Sequence, residues 1–405
     1  MNGSPITARR DVLLRFIALY AALFGAFGLS SPFLPAFLVE RGLGAEQLGV
    51  VLAATTAARL VSGAIAGRLA DRFHFLRTEL AVCAVLAVGA TLLYLAAHGF
   101  WTIMAISLLQ VVALAPLVPL ADALSLAHAR PRPDRQAFEY GWVRGAGSAA
   151  FVAGTLAAGQ AASSYGLSAI IWLSAALLVV PFAAGLVPAF PAQAASPPAE
   201  IVHRPWLTLF RQRAFACVVV VAALVLGSHA MYDSFAVIRW TQTGISPAAT
   251  GVLWSESVAA EVLVFFVLGP RLLRALSPVG ALAVAAFCGV VRWGVLAQTI
   301  DVVALGLTQP LHGFTFALLH LAAMRIIADT VPRDLAATAQ AAYSLVAVGG
   351  ATAVLLLLSG WLYAHFGAAG FWGMAALCLA AFPVIWLLQR VLAPAACPRE
   401  AHSIC

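Results

Sequence analysis

The chain has 405 residues, of which 63% are hydrophobic and 10% charged, with a formal net charge of +7. A water-soluble fold of this length has no interior large enough to hide that much apolar surface, so lipid must be the solvent for most of the chain. The basic residues are all arginine and lie mostly between apolar runs, which points to membrane orientation and away from a nucleic-acid patch.

A helix needs about 20 apolar residues to cross the hydrocarbon layer. Such stretches are predicted at 13–38, 47–67, 79–97, 101–127, 140–162, 168–188, 214–238, 249–269, 279–299, 302–324, 338–361 and 369–391. The first is too long, and too closely followed by others, for a cleaved secretory leader, so it is expected to remain in the mature chain. The longest polar interruption, 189–213, is rich in Pro and Ala before turning basic. The predicted fold is therefore an all-α membrane protein with twelve transmembrane helices in two pseudo-symmetric six-helix bundles. Residues 1–188 form the first bundle, 189–213 a cytoplasmic linker, and 214–405 the second bundle with a short tail. With both termini inside, 18 of the 23 arginines fall in inside loops and tails and two outside, the bias expected of a cytoplasmic membrane protein with an even number of spans.

A repeat supports the division into halves. At an offset of 202 residues, Gly42 meets Gly244, Gly49 meets Gly251, Gly67 meets Gly269 and Arg72 meets Arg274, while Arg59 stands opposite Glu261.

Ionisable groups at membrane depth cost on the order of 3 kcal/mol or more, so each needs a partner, a wet cavity or a task. The predicted spans contain four acids, Asp122, Asp233, Glu256 and Glu261, and three arginines, Arg59, Arg144 and Arg292. One carboxylate is left over if every arginine pairs, and such a group suits a proton carrier. His229 and Asp233 are four apart in the seventh span and could share a proton. In the tenth span His312 and His320 point in different directions, and one is expected to face a cavity. Glu256 and Glu261 lie about 140 degrees apart around the eighth span, with Glu261 expected to meet a neighbouring helix and Glu256 the cavity. Arg144 cannot discharge, which leaves it as a fixed ion-pair member or an anion clamp. Pro32, Pro35, Pro116 and Pro119 are expected to mark bends.

Four cysteines, Cys83, Cys217, Cys288 and Cys378, fall within spans as small buried residues, and the tail residues Cys397, His402 and Cys405 lack the spacing of a zinc site. No metal or cofactor is expected, and the driving force is expected to be a proton gradient. The His-Glu-x-x-His and Gly-x-Ser-x-Gly runs of membrane proteases and the Walker phosphate loop do not occur, which argues against an enzyme and against ATP-driven transport.

The segment after the second span, GRLADRFHFLR from Gly67 to Arg77, resembles the cytoplasmic loop signature of the major facilitator superfamily, with Gly67, Asp71 and Arg72 in the gating positions. Further segments resemble the phenylpropionate permease branch of that superfamily, related to oligosaccharide and nucleoside proton symporters. They are PLADALSLA (119–127), EYGWVRGAGSAAF (139–151), GVLWSESVAAEVLVFF (251–266) and QPLHGFTFALLHLAAMRII (309–327). The resemblance implies alternating access and uptake of a small organic solute with a proton by a monomer, with Asp122, Arg144, Glu261, Arg292 and His312 as cavity or coupling positions. An aromatic monocarboxylate would suit Arg144 between aromatic walls such as Phe24 and Trp254. Proton-driven efflux, or symport of a sugar or nucleoside, is the alternative; the fifth span, SAAFVAGTLAAGQAAS, lacks the Gly-Pro pair usual in efflux branches.

Overall fold

The computed structural model describes residues 5–73, 76–129, 138–186 and 206–393, and every regular element among them is helical. The first half comprises α1 (Pro5–Glu40), α2 (Ala45–Phe73), α3 (Leu76–Leu93), α4 (Phe100–Leu114), α5 (Leu117–Ala129), α6 (Tyr140–Tyr165) and α7 (Ser168–Leu186). The second comprises α8 (Arg213–Gly227), α9 (His229–Gln242), α10 (Pro247–Leu263), α11 (Gly269–Gln298), α12 (Val302–Thr308), α13 (Leu311–Gly313), α14 (Leu319–Thr330), α15 (Ala336–Tyr343), α16 (Ala351–Phe366) and α17 (Phe371–Leu392). Short π-helical segments, Val264–Leu268, Phe314–Leu318 and Ser344–Gly350, join α10 to α11, α13 to α14 and α15 to α16.

Among the described residues eight helical stretches are long and apolar enough to cross a membrane. Two of them, Pro247–Gln298 and Arg333–Leu392, run to 52 and 60 residues. At a rise of 1.5 Å per residue a straight helix of that length would be about 80–90 Å long, more than twice the hydrocarbon layer of about 30 Å. Both are broken midway. Ser277 leaves the helix at φ 59° and ψ 159°, a region that is costly for any residue with a side chain, just before Pro278. Gly367 turns the second stretch at φ 53°.

The 202-residue offset reappears in the element bounds. α1 ends at Glu40 and α9 at Gln242, and α2 begins at Ala45 and α10 at Pro247. Both joints close in the same way. Gly42 and Gly244 take φ of 100° and 91°, and the Leu43 and Ile245 amides reach back five residues to the carbonyls of Leu38 and Trp240. This is the Schellman arrangement, in which the left-handed residue must be one that carries no side-chain penalty.

Lipid tails offer helices no hydrophobic drive to associate, so close packing of small residues supplies it. A Cβ on Gly49 of α2 would come within 2.7 Å of the Leu356 carbonyl oxygen and 3.0 Å of Gly360 Cα on α16. A Cβ on Gly159 of α6 would lie 2.6 Å from the Pro247 carbonyl oxygen and 3.2 Å from Gly251 Cα on α10. The two contacts correspond through the repeat, since α2 matches α10 and Gly159 matches Gly360 at nearly the same offset. In each pair residue numbers run in opposite senses, so the helices are antiparallel. An apolar cluster including Phe33 and Phe37 of α1 and Phe235 and Trp240 of α9 spans both halves.

The predicted second span differs in length. No breaker interrupts α2 at Gly67, and the helix runs on to Phe73. Gly67, Asp71 and Arg72 therefore sit on helical backbone, and their side chains lie outside the described residues, as do Cys397, His402, Cys405 and most of the 189–213 linker.

Candidate functional site

A cavity of about 730 Å³ lies between the halves, lined by α1, α2, α4, α6, α8, α9, α10, α13, α16, Tyr94 and the π-helical segments after α13 and α15. Its charged side chains are Arg59 of α2, Asp233 of α9 and Glu261 of α10, and His229 of α9 and His312 of α13 also line it. Thr55 and Arg59 lie one turn apart on α2, Trp254, Ser257, Val258 and Glu261 share a face of α10, and each set follows the 3- and 4-residue spacing of a single helical stripe.

The second-half wall is a connected polar network. Arg292 of α11 is fully buried at 0% exposure. Its Nη1 donates to His312 Nδ1 at 2.9 Å and its Nη2 to Gln309 Oε1 at 3.2 Å. The guanidinium lies 4.2 Å from the Tyr232 ring centre and 4.8 Å from that of Trp293. A guanidinium can only donate, so His312 Nδ1 must accept and its proton must sit on Nε2. That nitrogen is 3.3 Å from Glu261 Oε2. A neutral imidazole therefore bridges a permanent cation and a cavity carboxylate. Gln309, itself fully buried, also accepts the Tyr232 hydroxyl at 2.8 Å, and Tyr232 stacks on Trp254 with ring centres 4.8 Å apart.

His229 sits beside this network, its ring 5.2 Å from that of His312. Its Nδ1 faces the carbonyls of Val225 and Leu226, both at 3.1 Å, so the proton is there. Nε2 then accepts from the Thr315 hydroxyl at 2.9 Å. Both ring nitrogens of His229 are thus taken by groups other than Asp233, although both residues line the cavity. Asp233 is ringed by protein yet open to the cavity, within electrostatic reach of Arg292, Arg59 and Glu261.

The other predicted positions are distributed as follows. Trp254 and His312 line the cavity. Glu261 both lines it and meets α13, whereas Glu256 is not among the lining residues and lies against Gly306 of α12. His320 packs beside Phe265 and Tyr343. Asp122, Arg144 and Phe24 form a separate group. Asp122 Oδ1 accepts from Tyr20 and, at 2.6 Å, from Tyr140, and stands 3.9 Å from Arg144 Nη1. The Arg144 guanidinium lies over Phe24 at 5.1 Å, and none of these three lines the cavity. Among the described residues no group of three His, Cys, Asp or Glu side chains could hold a metal ion.

Neutral polar groups complete the cavity, and a search for ionisable residues does not find them. On the first-half wall the Tyr94 hydroxyl is 2.9 Å from Ser107 and 3.1 Å from Gln110, which donates to Thr91 at 3.0 Å. Tyr232, Gln309 and Thr315 do the same work opposite. Their signal is an amide or hydroxyl at lipid depth, which must find a partner there.

Solved structures share this architecture. That of the nucleoside transporter NupG superposes with a TM-score of 0.79 at 15% identity, covering 95% of this chain and 100% of that one. A bacterial homologue of the human lysosomal transporter Spinster, inward-facing and unoccupied, gives 0.71 at 15% identity, covering 96% and 99%. These likenesses show the fold; together with the family and the relatives that follow, they make the chain a multi-pass membrane transporter of the major facilitator type and not an enzyme. The chain belongs to the MFS_1 like family, whose model matches residues 13–374. Among its relatives is a probable 3-phenylpropionic acid transporter of Escherichia coli (strain K12), 36% identical over 93% of this chain and 98% of that protein. A maltose permease of Geobacillus stearothermophilus is 24% identical, with 88% of each chain covered.

Proposed function

We propose that the protein is a proton-coupled symporter that takes up a small aromatic monocarboxylate across the cytoplasmic membrane by alternating access. The observation that carries this reading is the cavity, shared by both halves, in which one fixed cation and two carboxylates stand among aromatic walls. A cation selects an anionic solute, and a carboxylate that can hold a proton at one step and lose it at another links that solute to the gradient. The E. coli relative named for 3-phenylpropionic acid supports the substrate class.

In this reading the chain crosses the membrane twelve times, as two six-helix bundles with both termini cytoplasmic. Eight stretches meet the length and apolarity test, the two overlong ones are broken at Ser277 and Gly367 and count as two crossings each, and α2 and α6, at 29 and 26 residues, are long enough to cross. The antiparallel packing of α2 on α16 and of α6 on α10 agrees with alternating crossings. The close glycine contacts then sit at the outer end, so the carrier is closed outside and its cavity faces the cytoplasm.

Purified protein in lipid vesicles with an alkaline interior is expected to accumulate labelled 3-phenylpropionate at least tenfold, and to lose the accumulation when an uncoupler collapses the gradient. Accumulation that survives the uncoupler would count against coupling.

A further inference from the structure

The three arginines at membrane depth have three different surroundings. Arg292 is fully buried and committed to His312, Gln309 and the faces of Tyr232 and Trp293. Arg144 is outside the cavity lining, beside Asp122 and over Phe24. Arg59 alone among them lines the cavity with its side chain open to it, and its guanidinium makes no hydrogen bond and no ion pair within 4.0 Å among the described residues. Five guanidinium donors on a helix at lipid depth, open to the cavity and unused, make a binding site for an anion.

Arg59 faces Asp233, a carboxylate contributed by the other half, across the same cavity. The charged and titratable groups around Asp233 are Arg59 on α2, Arg292 on α11, Glu261 on α10, and His229 and His312 on α9 and α13. Glu261 already has a partner in His312, and through it Arg292. Asp233 has two cations in reach, Arg292 and Arg59, and Arg292 is held by its own hydrogen bonds, so the two arginines together balance Asp233 and Glu261. A further carboxylate entering the cavity would leave one negative charge without a counterion in a low-dielectric space, which is strongly unfavourable. One proton, taken from water onto Asp233, restores neutrality.

We propose that Arg59 is the residue that binds the substrate's carboxylate, and that the substrate replaces Asp233 as its counterion, so that Asp233 is protonated in the loaded carrier. The aryl group then lies against the stacked Trp254–Tyr232 pair and Phe316, which line the same cavity. This assignment rests on the monocarboxylate reading above. It places the anion clamp at Arg59, whereas the sequence left Arg144 open as an ion-pair member or an anion clamp, and it fixes the coupling at one proton per acid.

The test is calorimetric titration of the detergent-purified full chain with 3-phenylpropionate and with its uncharged amide, each in two buffers of different ionisation enthalpy. Wild type is expected to take up about one proton per acid bound and none with the amide. Arg59→Gln is expected to weaken the acid on the order of 10- to 100-fold, the range for a lost charge-assisted hydrogen bond, and to leave the amide unchanged. Asp233→Asn is expected to bind the acid without proton uptake. Should Arg59→Gln lose both ligands, Arg59→Lys decides: a weakened acid with an unchanged amide supports the assignment, and equal weakening of both overturns it. Acid binding by Arg59→Gln at wild-type strength, or full proton uptake by Asp233→Asn, overturns this proposal while leaving the monocarboxylate reading intact. No binding of the acid by wild type overturns both.

Discussion

Gln309 carries more of the second-half wall than its neutral side chain suggests. Its one carbonyl oxygen accepts from both Tyr232 and Arg292, neither of which has water to fall back on. Gln309→Leu leaves two buried donors without an acceptor, at about 1–3 kcal/mol for each. The variant is expected to unfold in detergent at a midpoint several degrees lower, measured by intrinsic fluorescence; an unchanged midpoint would show that the network tolerates the loss. The ionisable members of this network were legible in the sequence because charge at lipid depth is rare. Their partners were not. His229 and Asp233 share a helical face by spacing, yet the bond from His229 Nε2 goes to Thr315, 86 residues away. Spacing reports proximity within one helix, whereas pairing is decided by how helices pack. The same limit applies to Glu256 and Glu261: their angular separation followed from helical geometry, but which one looks into the cavity depended on where α12 and α13 lie.

α6, at 26 residues, is long enough to span a membrane, yet it is less apolar than the eight stretches among the described residues that meet both conditions. Its Gly, Ala, Ser and Thr content lowers apolarity and allows close approach to the opposite half, so the two properties have one cause. Gly159→Val is expected to hold α6 and α10 apart at the end where they now touch, because the first added carbon already meets the Pro247 carbonyl oxygen at 2.6 Å. With the six native cysteines replaced, a reporter Thr250→Cys, at a position now wholly buried, should react at least tenfold faster with a thiol reagent in the Gly159→Val background. Equal rates would contradict the view that this glycine pair seals the closed end. The break between the eighth and ninth predicted spans was legible as the gap between 269 and 279, which holds Ser277 and Pro278. The continuation of α2 beyond Gly67 was not, since a glycine permits a helix exit without requiring one.

At the scale of the whole molecule, a handful of glycine matches at an offset of 202 anticipated a repeat that the structure expresses in helix ends, turn geometry and interfaces. Gly42 and Gly244 close equivalent joints, and Gly49 and Gly251 seat equivalent contacts. Glycines carry the repeat best because backbone geometry constrains them directly, while cavity residues are free to diverge: Arg59 and Glu261 occupy matching positions with opposite charge, and both line the cavity. This charge asymmetry on a symmetric frame allows one half to hold an anion while the other holds the carboxylates. The most direct test of coupled uptake is proton movement driven by substrate alone. Adding 3-phenylpropionate outside weakly buffered vesicles that contain the protein should make the external medium alkaline, with about one proton entering per acid and no pH change in the Asp233→Asn variant. Uptake of the acid by the wild-type protein with no accompanying rise in external pH would contradict the account.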